Sequence, residues 1–86
     1  MEEIIDVKNP KDVFEYLDNN IDVDEYVEIY FGRVHVEGRL VHYNDGLVRL
    51  VHERYGIIEV EIEEILDDLL ELAHSDGEKR TVLRFY

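Results

Sequence analysis

Asn44-Asp45-Gly46 stands between two runs rich in β-branched residues, and it constrains the fold of this chain more than any other stretch. Asp-Gly suits a tight hairpin because glycine takes a positive φ at no steric cost, so residues 34–43 and 47–53 are expected to pair as antiparallel strands. A two-residue loop would pair Leu40 with Val51, and a three-residue loop would pair Leu40 with Leu50. The second gathers Val36, Leu40, Val48 and Leu50 on one face and is the expected register. A slip of one residue would turn every side chain to the other face.

The flanking segments extend the pattern in both directions. Val27, Ile29 and Phe31 fall on one face of a strand over residues 26–31, with Tyr26, Glu28 and Tyr30 on the other. In the next run Val34, Val36 and Leu40 oppose His35, Glu37 and Arg39; Gly38 shares the inward parity, where a missing side chain permits a sharp bend or a close backbone approach. Arg54-Tyr55-Gly56 makes another turn, and residues 57–62 alternate as a fourth strand. Upstream, Asn9-Pro10 suits a helix start, acidic Asp12 and Glu15 favour its first turn, and Val13, Phe14 and Leu17 give it an apolar stripe over residues 11–17. Downstream the period changes: Ile62, Ile65, Leu66, Leu69, Leu70 and Ala73 follow helical spacing, with Glu63, Glu64, Asp67, Asp68 and Glu71 on the remaining face. Ser75-Asp76-Gly77 stops this second helix, and residues 80–86 read as a final strand. The expected architecture is one α+β domain over residues 1–86: an N-terminal helix, a four-stranded bent antiparallel meander or partial small barrel, a second helix and a C-terminal strand.

A chain of 86 residues has room for one core, and 45% hydrophobic residues suffice to build it. The absence of cysteine removes disulfides, thiolate metal sites and cysteine nucleophiles together. The acidic stretch from Met1 to Asp6 has no apolar run of the signal-peptide kind, and nowhere do about 18 apolar residues run together, so a cytoplasmic protein without a membrane span is expected. The formal charge of −13, from 22 acidic against 9 basic residues, repels phosphate backbones and attracts cations or basic partners. Lack of Gln and Trp with little Ser or Thr points to a thermophilic archaeal source.

The segments Phe31-Gly32-Arg33, Gly38-Arg39-Leu40-Val41-His42-Tyr43 and Tyr43-Asn44-Asp45, placed after a helix, resemble the first half of the Sm-like fold. In that family a strongly bent small barrel follows the helix, and a Gly-x-Leu-x-x-aromatic stretch lies on its second strand. The resemblance covers roughly residues 27–50 and implies a barrel and an RNA-binding module. The family's RNA-contacting loop carries an Asp and a later Asn after the aromatic, whereas here the turn closes at Gly46; its second motif, an Arg-Gly pair, has no counterpart over residues 61–73. No RNA-binding residue carries over. The arrangement as a whole looks like a small uncharacterised archaeal domain, which implies no activity.

Candidate chemistry is sparse. Glu2-Glu3, Glu63-Glu64 and Asp67-Asp68 pair carboxylates, but on a polar helix side or at a terminus where solvent equalises them, so they suit a solvated face better than acid–base work. Asn20-x-Asp22-x-Asp24 has the alternation of a calcium loop, yet Glu25 stands where glycine is needed and Phe31 where the bidentate glutamate belongs. His35, His42, His52 and His74 lack the helical spacing of a zinc pair; His42 and His52 would sit about 15 Å apart on one face by strand rise. Ser75 and Thr81 lie near a turn without a nucleophile motif. Arg33, Arg39, Arg49 and Arg54 interleave with Tyr26, Tyr30, Tyr43 and Tyr55, a usable grip for a partner, or else a set of cross-strand pairs with Glu28, Glu37, Glu53 and Glu59.

No catalytic or cofactor-binding residue and no cofactor emerge, and metal ligands stay unassigned. The expected role is non-enzymatic: a protein-interaction or self-associating module, for instance through an exposed edge at residues 80–86. Alternatives are weak divalent-cation binding by the acidic helix and the Asp22/Asp24 linker, or a degenerate Sm-like RNA-binding role disfavoured by the charge.

Overall fold

The computed structural model describes residues 1–85, so Tyr86, the last residue of the expected final strand, lies outside the described residues. Alternating residues form strands β2 (Tyr26–Phe31), β3 (Val34–Asn44), β4 (Leu47–His52) and β5 (Gly56–Glu61), each antiparallel to the next. The hairpin combines features of both anticipated loops. Asn44 pairs with Leu47 around a two-residue Asp45-Gly46 turn, both with positive φ, and a bulge at Val41 then brings Leu40 opposite Leu50. The extra residue restores the inward parity that the short turn would reverse, so Leu40, Val48 and Leu50 are all buried.

The expected fold class is overturned by the remaining elements. Residues 1–6, read only as an acidic terminus, lie for the most part in strand β1 (Glu2–Val7). The helix expected over residues 62–73 shrinks to one turn, α2 (Ile62–Ile65), and a 3-10 turn over Leu66–Asp68; strand β6 (Leu69–Ser75) replaces the rest. β6 pairs antiparallel with β2 on one side and with β7 (Arg80–Phe85) on the other, while β1 runs parallel to β7. The result is a seven-stranded mixed sheet in the order β1-β7-β6-β2-β3-β4-β5, with β1 and β5 at opposite edges rather than joined as a barrel. Helical spacing of Leu69, Leu70 and Ala73 gave way because a central strand satisfies its backbone groups on both sides, and that pairing outweighs local propensity. The skipped pairing partner at the bulge opposite Tyr30 and Phe31 is Leu70, which is left exposed. β7 is therefore interior, so among the described residues the edge expected from this C-terminal segment is not formed.

Helix α1 (Asp12–Asn20) starts after Asn9, whose Oδ1 accepts the Lys11 N–H at 3.1 Å. Asn19 and Asn20 extend it by donating from their side chains to the carbonyls of Glu15 and Tyr16. Its buried Val13 and Leu17 belong to one core with Val27, Ile29, Leu40, Val48, Leu50, Val60, Ile62, Leu72 and Leu83. Among the described residues no helix is long and apolar enough to cross a membrane.

The close approach anticipated at Gly38 is present: a Cβ there would lie 2.7 Å from the Val51 carbonyl oxygen and 3.1 Å from the Leu50 Cβ. Backbone on the facing strand cannot swing aside, so Gly38→Ala is expected to destabilise the fold by about 1–3 kcal/mol through overpacking. Denaturant unfolding of the variant measures this, and an unchanged midpoint would refute the tight crossing.

Candidate functional site

Polar side chains gather in two places, one on each face of the sheet. On the face covered by α1, the β6–β7 register puts Thr81 beside His74, and the β2–β6 register puts His74 beside Val27. The linker between α1 and β2 folds back in a turn, with Glu25 N–H donating to the Asp22 carbonyl at 3.2 Å and the Asp22 N–H donating to Glu25 Oε2 at 2.7 Å. Asp24 takes a φ of 81° and its N–H bonds the Leu40 carbonyl, which fixes where Glu25 emerges. Glu25 Oε1 then lies 2.7 Å from His74 Nδ1, while the Tyr16 hydroxyl lies 2.7 Å from His74 Nε2. With His74 only 8% exposed, the arrangement that satisfies every atom has Nδ1–H donating to Glu25 and Nε2 accepting from Tyr16. Glu3, Asp22, Asp76 and Lys79 help to wall the cavity of about 420 Å³ beside this chain of bonds.

Hydroxyl, imidazole and carboxylate in that order match the connectivity of a nucleophile, its base and an orienting acid. The hydroxyl, however, is poorly suited to attack. Burial pushes Tyr16 above the usual phenol range; a hydrogen bond with Thr81 opposes this, the fields of Glu3 and Glu25 add to it, and Lys79 again opposes it. A phenol held protonated and donating to His74 works as a tie between α1, the linker and β6.

On the outer face, Glu28 of β2 stands directly opposite Glu37 of β3, and Tyr30 opposite His35. Tyr30 and His35 stack with centroids 4.3 Å apart and planes 2° from parallel. Tyr30 donates to Glu28 Oε2 at 3.2 Å, and Arg80 reaches Glu28 Oε1 at 3.3 Å while also bridging to Glu2 at 2.8 Å. One ligand atom from each of Glu28, His35 and Glu37 lies within 4.8 Å of the others. A third surface is the β5 edge, whose outer side has no neighbouring strand among the described residues; Ile57 is 68% exposed there, and Tyr55 in the preceding turn 69%.

The profile of DUF2097, described as an uncharacterized protein conserved in archaea, matches residues 3–84. The chain belongs to this family. A relative of the same extent, the uncharacterized protein MJ0540 of Methanocaldococcus jannaschii, is 88% identical over 86 residues, covering 100% of both chains. No solved structure matches the chain. The archaeal affinity expected from the sequence thus holds, whereas the Sm-like resemblance finds no support in these comparisons.

Within this family member the residues singled out from the sequence are mostly dispersed. Asp24 is tied to Arg39 at 2.9 Å and Asp22 lies in the linker turn, so the supposed calcium-loop alternation is an ordinary turn. Glu2 and Glu3 pair with Arg80 and Lys79 respectively, both at 2.8 Å. Glu63 and Glu64 lie exposed in α2, and Asp68 offers its carbonyl to the Gly32 N–H. His52 Nδ1 accepts the N–H groups of Arg54 and Tyr55 and so shapes the β4–β5 turn, and Ser75 Oγ accepts the Gly77 N–H. Of the four meander arginines, Arg49 meets its cross-strand partner Glu59 at 2.7 Å, Arg39 meets Asp24 instead, and Arg33 and Arg54 make no ion pair among the described residues. Neither polar cluster was anticipated from the sequence. Tyr16, Glu25 and His74 carry no local signal, but Glu28, His35 and Glu37 share a face by parity once the turn at Gly32-Arg33 is folded.

Two outcomes follow from these contacts. Tyr16→Phe leaves the buried His74 Nε2 without its donor and is expected to lower stability by about 1–3 kcal/mol, read from denaturant unfolding; a neutral result would mean solvent already reaches His74. Partial burial, a hydrogen bond to Glu37 and the fields of Glu37, Glu28 and Glu53 push Tyr26 from 10.0 up to about 12, and Tyr16, Tyr30 and Tyr43 are also raised, each chiefly by burial. The folded chain therefore holds these phenolic protons more tightly than the unfolded chain. Their stabilising contribution is complete below pH 10 and is lost as pH rises from there through about 12. Absorbance at 295 nm with circular dichroism should show delayed phenolate formation accompanied by alkaline unfolding; ordinary tyrosine titration with an intact fold would contradict it.

Proposed function

We propose that the protein is a non-enzymatic interaction module that receives an extended, Lys/Arg-rich segment of a partner protein along β5. The observation that carries this reading is the contrast between the two sheet edges. β1 is guarded by Glu2, Glu3 and Asp6, each paired with a base on or beside β7. The first half of β5, Gly56-Ile57-Ile58, has no charge, and its Ile57 stands exposed. Edge strands without charge invite strand addition, in which backbone bonds give affinity and alternate side chains give selectivity. Glu61 and the Arg49-paired Glu59 lie further along the same strand, and the chain's charge of −13 favours a basic segment and repels a second copy of the chain. The raised phenol at Tyr16 supports the non-enzymatic part, since the one hydroxyl–imidazole–carboxylate chain among the described residues is poorly suited to attack.

Titration of the labelled protein with an alternating Lys-Val hexapeptide tests the reading by amide shifts. Shifts concentrated on Gly56–Glu61, lost in Ile57→Lys and absent with a proline-interrupted peptide of equal charge, are expected. Shifts spread evenly over the acidic surface, or equal for both peptides, would sink it.

A further inference from the structure

We infer that Glu28, His35 and Glu37 form a binding site for a divalent first-row transition ion of the zinc type. The hairpin builds the donor set: Glu28 and Glu37 are direct partners across β2 and β3, and His35 lies one same-face position along from Glu37. Their ligand atoms already converge to within 4.8 Å of one another. His35 Nε2 and Glu37 Oε2 face each other at 3.9 Å, too far to hydrogen-bond. Around a tetrahedral zinc with bonds of about 2.0–2.2 Å, donor atoms sit about 3.4 Å apart, so a small inward movement completes the set. The side chains that must move, His35 and Glu37, are 40% and 35% exposed.

The surroundings do what supporting groups around a metal do, holding donors in place. Stacking on Tyr30 sets the plane of the His35 ring, and Tyr30 and Arg80 together hold both oxygens of Glu28. The His35 ring makes no hydrogen bond among the described residues, unlike that of His74, whose two nitrogens are both engaged. Charge favours the same assignment. Two carboxylates directly opposite on neighbouring strands repel, and Arg80 is shared between Glu28 and Glu2. One imidazole nitrogen with two carboxylate oxygens suits borderline ions such as Zn²⁺; calcium and magnesium prefer oxygen throughout. Three protein donors would leave a coordination position for water or for a group on another molecule. The cation affinity anticipated from the acidic linker and helix is thereby moved to the outer face of the β2–β3 hairpin.

Zn²⁺ titration of the whole chain by calorimetry, with Co²⁺ absorption and histidine ring ¹⁵N shifts as second readouts, tests the site. The expected result is one ion per chain with the ring shift confined to His35. His35→Ala and the near-isosteric Glu37→Gln should each weaken binding by about tenfold or more, in the range seen for disturbed metal sites, and His42→Ala should leave it unchanged. Circular dichroism confirms that each variant is folded. Weak binding of several ions, binding indifferent to both His35→Ala and Glu37→Gln, or no binding at millimolar Zn²⁺ would overturn the assignment.

Discussion

The ladder between β2 and β6 is the join on which the rest of the structure depends. β2 to β5 form one run of neighbouring strands and β6, β7 and β1 another, and among the described residues only β2 against β6 makes them one sheet. That register brings Ile29 beside Leu72 in the core beneath α1 and carries His74 next to Val27, within reach of Glu25 and Tyr16. On the opposite face it brings Arg80, one strand further on, to the carboxylate of Glu28. The buried cluster is thus a product of one long-range pairing, which also brings Arg80 to the hairpin-built outer one. The buried hydrogen bonds in turn lock that pairing, since a slipped register would strand His74 without its partners.

What could be read from the sequence ends where pairing becomes non-local. Residues 26–31 and 57–61 alternate, and the whole run over 26–61 is punctuated by Gly32-Arg33, Asp45-Gly46 and Tyr55-Gly56, so the strands there, even β4 with apolar residues on both parities, are bounded by their own neighbourhood. Leu69-Leu70-Glu71-Leu72-Ala73 lacks that simple alternation because it has strands on both sides and a bulge within it, and its apolar spacing fits a helix equally well. Glu2-Glu3-Ile4-Ile5 changes character in pairs and shows neither period, yet β7 recruits it. The bulge at Val41 was equally silent, although the parity of Leu40 and Leu50 that demands it was visible. Of the clusters, the hairpin trio was within reach of parity arguments, whereas Tyr16, Glu25 and His74 meet only through the tertiary fold.

The acidic excess is organised rather than spread. Lys79, Arg80 and Arg84 meet Glu3, Glu2 and Asp6 across the β1–β7 edge, which spends a third of the 9 basic residues on one strand pair. Such exposed pairs contribute at most about 1 kcal/mol each, so their larger effect is on specificity: they favour this parallel register over others. The β6–β7 turn is set the same way, with Asp76 Oδ1 accepting the N–H groups of Glu78 and Lys79, which hold its carboxyl below the usual range. The remaining acids are left largely without bases, and that surplus gives the molecule its external field.

The parallel pairing of β1 with β7 has a mechanical corollary. Glu2 lies beside Arg80 and Val7 beside Phe85, so the first and last described strands enter and leave from opposite ends of one ladder. Tension applied between the two ends of the described chain would drag these strands past one another along their axes. In that shear geometry the interstrand hydrogen bonds share the load, instead of opening one after another as a zipper does. The molecule would resist stretching along this direction far more than peeling from the β5 side.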